Sequence, residues 1–291
     1  MKTKRRPRVA LETTVITHGL PQPEGLSVAR EMEAEIRKQG AEPATIGVLK
    51  GRVRVGLTAV ELEELASAPQ VRKLNLSNLA AGIASGKPGS TTVAATLLLA
   101  HKAGISVFVT GGIGGVHRGA TTSGDVSADL TALARIPVAV VCAGAKAVLD
   151  LPKTREALET LGVPVYGFGT DRFPAFYRRD SGLSVDARFE RVEDLAAAVR
   201  AHFALRSGSA VLVANPVPAE HELSGAVYEK GIAQALADAE RNGVAGRDVT
   251  PFLLERLRVL TKGKSVSANR ALLLNNASLA AQLAVALSGH P

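Results

Sequence analysis

Two hydrophobic periods alternate along most of the chain. Short runs rich in β-branched residues have the length and composition of buried strands, and between them apolar positions recur at helical spacing. The pattern predicts strands over residues 8–16, 44–49, 52–55, 107–109, 137–142, 164–168 and 210–213. It predicts helices over 24–39, 58–66, 93–103, 152–161 and 192–205, with Gly40 and Gly162 placed to end two of them. Residues 170–186 carry no regular period. Three further helices, near 223–242, 250–260 and 268–287, close the chain. Strand and helix alternating over so long a stretch imply an α/β fold. The expected form is an α/β/α layered sheet with helices on both faces and a C-terminal helical segment. No internal repeat or low-complexity linker divides it, so residues 9–291 read as one domain behind a basic tail at 1–8.

Composition narrows the function. Hydrophobic residues make up 46% of 291, enough for a large core. Aromatics are 3%, too few for a platform that stacks single-stranded nucleic acid. The net charge of +8 includes the tail residues Lys2, Lys4, Arg5, Arg6 and Arg8, and the remaining excess suits a phosphorylated substrate. The single cysteine, Cys142, excludes an intramolecular disulfide and fits the reducing cytoplasm; its apolar strand reads as burial of an inert thiol. The apolar run at 9–17 is interrupted by Glu12 and three threonines, unlike a signal peptide. The last helix is interrupted by Asn275, Asn276 and Gln282, so no membrane span is expected.

Candidate chemistry collects around residues 107–150. Strand 107–109 empties into Thr110-Gly111-Gly112-Ile113-Gly114-Gly115, followed by His117 and Arg118. No dinucleotide or P-loop frame fits this turn, although its N–H groups can hold a phosphate. A tight surface turn is the plain alternative. A second polar loop, 85–92, opens into the helix at Val93; it reads as an anion site or as an ordinary N-cap by Ser90 or Thr91. Lys146 follows a buried strand among small residues, where desolvation frees an amine for attack on carbon; a lysine snorkelling at a strand end looks the same. Glu12 sits inside an apolar strand, either as a structural ion pair or as a proton donor. Asp125 and Asp129 lie four apart, a spacing open to a hard divalent cation with mostly water ligands. Lys73 reads as any surface lysine. Residue types alone reach a lyase, an aldolase or a phosphosugar enzyme.

Longer blocks go further. ALETTVITHGLP, VFVTGGIGGVHRGA, DVSADLTALA, CAGAKAVLDLP, LVANPVP and NNASLAAQLA resemble the pseudouridine-5′-phosphate glycosidase family, which includes the indigoidine synthase A-like proteins. The resemblance runs from about Val9 to Leu287. It implies a homotrimeric enzyme using Mn2+, or another divalent cation such as Mg2+. The implied reaction is reversible cleavage of the C–C glycosidic bond of pseudouridine 5′-phosphate to ribose 5-phosphate and uracil. It also implies roles: Lys146 as the covalent lysine, Glu12 as proton donor and Asp125 at the metal. Lys73, Val93, Ser127, Ala128 and Asp129 become substrate contacts, with Thr110, His117 and Asn276 as further pocket members. Two loops depart from the family pattern, at 85–90 and 122–124. A lysine-dependent sugar-phosphate aldolase or isomerase remains the second reading, and a non-catalytic nucleotide- or RNA-binding protein the third.

Overall fold

The computed structural model describes residues 6–244 and 249–289. Lys2, Lys4 and Arg5 of the basic tail lie outside them. Ten strands form one sheet: β1 (Arg8–Leu11), β2 (Glu42–Leu49), β3 (Arg52–Val55), β4 (Arg72–Leu74), β5 (Gly89–Thr91), β6 (Val107–Val109), β7 (Ala139–Cys142), β8 (Val165–Phe168), β9 (Ala187–Phe189) and β10 (Val211–Ala214). Their order is β4-β5-β2-β1-β6-β7-β10-β8-β9, with β3 hairpinned onto β2. From β2 to β9 every neighbour is parallel. Of these, β6, β7 and β10 are apolar and buried on both faces, as a sheet covered on both sides requires.

The order reverses at β1. The chain leaves β1 through α1 (Glu24–Lys38) to β2 on one side, and later returns through α4 (Val93–Lys102) to β6 on the other. Right-handed crossovers in opposite directions put their helices on opposite faces. Accordingly α1, α8 (Val192–Ala204) and α11 (Lys264–Ser288) pack together on one side, whereas α4 packs on α6 (Ala128–Leu133). The crevice between β1 and β6 is therefore the topological switch point, where open α/β sheets bind ligands.

The sequence-predicted first strand is shorter than expected. β1 stops at Leu11, and Val15–Gly19 forms a π-helical turn. Thr13 diverts the backbone: its hydroxyl donates to the Ile46 carbonyl at 2.8 Å and accepts the Thr91 N–H at 2.9 Å. Meanwhile β2 runs four residues past the level of Leu11, and β5 pairs antiparallel with that extension. The loop expected at 85–92 thus contains a strand, and Thr92, not Ser90 or Thr91, caps α4. The C-terminal helices are α9 (Gly225–Arg241), α10 (Val249–Leu260) and α11. By length and composition α11 could cross a membrane, yet it packs on β1, β6 and β7 between α1 and α8. Asn269 and Asn276 are buried in that packing, as in the core helix of a globular domain.

Candidate active site

A cavity of about 260 Å³ opens where β1, β6 and β7 end. Glu12 comes directly after β1 and is buried. The hydroxyls of Thr14 and Thr110 donate to its two carboxylate oxygens. Burial pushes this carboxyl above its ordinary value of 4.5; the charge of Lys146 and the Thr110 hydroxyl oppose that rise, and Asp129 adds to it. A carboxyl raised in this way holds its proton to higher pH than an exposed one, as a proton donor requires.

Lys146 reaches the same cavity because the glycine turn continues the β6–β7 pairing beyond both strands. Ala143 N–H donates to Gly111 O at 2.9 Å, Ile113 N–H to Gly144 O at 3.0 Å, and Lys146 N–H to Ile113 O at 3.0 Å. Gly144 has a φ of +81°, and a side chain there would strike the Pro174 carbonyl, so glycine is required two residues before the lysine.

Asp129, near the start of α6, is also buried. One of its oxygens accepts the Ala94 N–H at 2.9 Å and the other the Gly114 N–H at 2.8 Å. It therefore ties the start of α4 to the glycine turn and is not half of a carboxylate pair. Asp125 instead faces His117 across a small hairpin, 3.9 Å from its Nδ1. Among the described residues no three His, Cys, Asp or Glu side chains cluster as a metal cage. One part-exposed carboxylate beside an imidazole still fits a hard cation that keeps most of its water. Burial holds the His117 imidazole below its ordinary pKa, against the pull of Asp125.

Lys73, on β4, also lines the cavity, with His18, Asn75, Thr92 and Val93. Val93 is the first residue of α4, where a helix leaves N–H groups without internal partners. His18 comes from the π-turn, its Nδ1 2.6 Å from the Thr17 hydroxyl and 3.3 Å from that of Ser90. Burial, then the charge of Lys73, lowers its pKa. Ser127 and Ala128 complete the wall. Of the positions singled out in the sequence, Glu12, Lys73, Val93, Thr110, His117, Asp125, Ser127, Ala128, Asp129 and Lys146 converge on this cavity.

Asn276 does not line it. That residue is fully buried behind the wall, where its amide donates to the Thr110 carbonyl at 2.9 Å. Its neighbour Asn275 donates to Pro216 O at 3.0 Å. The α11 asparagine that faces the cavity is Asn269, two turns earlier on the same face of the helix. It is 4% exposed, and among the described residues its side-chain oxygen is the buried side-chain polar atom with no hydrogen-bond partner. Spacing along α11 could have pointed to it, since Asn269 and Asn276 are seven apart and share a face. Cys142 is buried and its thiol is pushed up to about 12, an inert core position.

The family described as indigoidine synthase A-like protein matches residues 1–286. The chain belongs to the indigoidine synthase A-like family. Among relatives of this family, the chain is 56% identical over 286 residues to the pseudouridine-5′-phosphate glycosidase of Paracoccus denitrificans, covering 98% of this chain and 94% of the relative. It is 50% identical over 285 residues to the protein of the same name from Caldanaerobacter subterraneus, covering 98% and 93%. Two solved structures of the fold each superpose with a TM-score of 0.90 at 39% identity. One is the prealnumycin C-glycosynthase AlnA in complex with ribulose 5-phosphate, covering 98% of this chain and 92% of that one. The other is an indigoidine synthase A-like protein of Thermotoga maritima, covering 97% and 94%.

Proposed function

We propose that this member of the family cleaves the C–C bond of pseudouridine 5′-phosphate, giving ribose 5-phosphate and uracil. The observation that carries the proposal is the meeting of a buried, hydroxyl-aligned Glu12 with Lys146 in one cavity that Lys73 and the start of α4 also line. The sugar-phosphate and C-glycoside chemistry in the names of its relatives supports the same reading.

Uracil C5 is a poor leaving group, so acid catalysis at the anomeric carbon is not enough. Glu12 gives a proton to the ribose ring oxygen as its bond to C1′ breaks, and electrons from the uracil ring form a C1′–C5 double bond. The amine of Lys146 adds to C1′ as the C1′–C5 π bond opens back into the uracil ring, and its proton passes to the Glu12 carboxylate, which can then deliver it to C5. Once C5 is protonated, the lysine nitrogen's lone pair forms an imine to C1′ while the C1′–C5 bond electrons return to the uracil ring. Water then releases ribose 5-phosphate. Lys73, Val93 N–H and the Thr92 hydroxyl anchor the phosphate far from the breaking bond, so binding energy there orients the reacting carbon. Asn269, with a free acceptor, takes an N–H of the base; pseudouridine presents two such N–H groups on its uracil ring.

Asp125, with His117 beside it, would hold Mn2+ or Mg2+. Such an ion adds positive charge next to an anionic substrate. A homotrimer in the cytoplasm is the assembly and compartment in keeping with the family and with the single buried thiol.

The test is direct. Purified protein with pseudouridine 5′-phosphate and Mn2+ is expected to release free uracil and ribose 5-phosphate in equal amounts. Turnover of a sugar phosphate without uracil release would favour an aldolase or isomerase instead.

A further inference from the structure

Thr110 is held on both sides of its backbone. Its N–H donates to Val141 O at 3.1 Å, continuing the β6–β7 ladder. Its carbonyl, one residue beyond β6, accepts the side-chain amide of Asn276 at 2.9 Å. The oxygen of that amide in turn accepts the side-chain N–H of Asn215 at 3.0 Å. Asn215 follows β10, and its own N–H donates to Cys142 O at 2.8 Å. Two buried amides thus join the ends of β6, β7 and β10, and their side-chain bonds run from Asn215 to Asn276 to Thr110, whose hydroxyl donates to Glu12. A buried amide is costly where an apolar side chain would pack, unless both ends are used; Asn276 uses both.

We propose that Asn276 is a positioning residue for Glu12, acting through Thr110, with Asn215 fixing the direction of its amide. This rests on Glu12 being the proton donor of the proposed reaction. Asn276 contacts neither the cavity nor Glu12. It sets the Thr110 backbone, and so the aim of the hydroxyl that stabilises the ionised carboxylate. The other charges acting on Glu12 are Lys146, Asp129 and Lys73, which the amide pair does not touch.

The experiment compares parent, Asn276→Ala, Thr110→Val and the double variant. Each single change is expected to lower kcat about tenfold while KM stays within about twofold. The double variant is expected to be no slower than Thr110→Val alone, because Asn276 acts through that residue. The pH limb belonging to Glu12 should move upward in both singles, with the hydroxyl no longer opposing burial. Asn215→Ala, a milder change, should move it the same way by less. Infrared titration of the Glu12 carboxyl, identified by subtraction of Glu12→Gln, reads the shift without turnover. Failure of the parent to release uracil would count against the glycosidase reading. An unmoved carboxyl titration, or additive losses in the double variant, would reduce Asn276 to a packing residue.

Discussion

Asp129 accepts the Gly114 N–H at 2.8 Å, so the glycine turn of the site is shaped by a carboxylate from the helix that follows it. Its second oxygen holds Ala94 at the start of α4. Asp129→Ala should leave both N–H groups buried without acceptors and cost about 1–3 kcal/mol for each group left unsatisfied. Urea denaturation measures this, and activity should fall with it. Asp129→Asn keeps only one acceptor oxygen and is expected to fall between.

Glu12 should make stability depend on pH in an unusual direction. Its folded carboxyl lies above the ordinary 4.5 because of burial, so the native state keeps a proton that the unfolded chain gives up. Stability is then lost as pH rises above about 4.5 toward the folded value, and levels off beyond it. Glu12→Gln removes this term. Its stability advantage over the parent should therefore grow across that window in thermal melts at successive pH values. Activity should drop by about 10²–10⁴-fold, the range for loss of a general acid.

Asn269 links function to instability. Replacing it with Leu removes an unpaired buried acceptor, so Asn269→Leu is expected to raise stability by about 1–2 kcal/mol. The same change should raise KM for uracil in the synthetic direction about tenfold, one lost hydrogen bond's worth, and leave KM for ribose 5-phosphate near the parent value. Steady-state kinetics with each substrate varied separates the two.

Chelation should abolish turnover, and Mn2+ or Mg2+ should restore it. Asp125→Ala is expected to raise the Mn2+ concentration needed for restoration by more than tenfold, and to weaken Mn2+ binding measured by electron paramagnetic resonance. Unchanged binding would place the ion elsewhere.

The parallel core and its helices were legible because strand and helix periods differ and most elements are bounded by Gly or Pro. Glu12, Lys146 and Asp125 stand in contiguous blocks, so the sequence brings them forward together. The π-turn after Leu11 was not legible, because Thr13 ends the strand through bonds to Ile46 and Thr91, residues remote in sequence. β5 was hidden for the same reason: it pairs with β4 and with the far end of β2, both remote in sequence. Asn276 and Asn269 look alike in an apolar helix, and only the packing of α11 on the sheet puts one behind Thr110 and the other in the cavity.

The account depends most on Lys146 forming a covalent bond to the sugar. Protein incubated with ribose 5-phosphate, reduced with borohydride and digested should carry one reduced pentose phosphate on the peptide containing Lys146, and Lys146→Ala should carry none. An unlabelled Lys146 peptide in a preparation that still releases uracil from pseudouridine 5′-phosphate would contradict it.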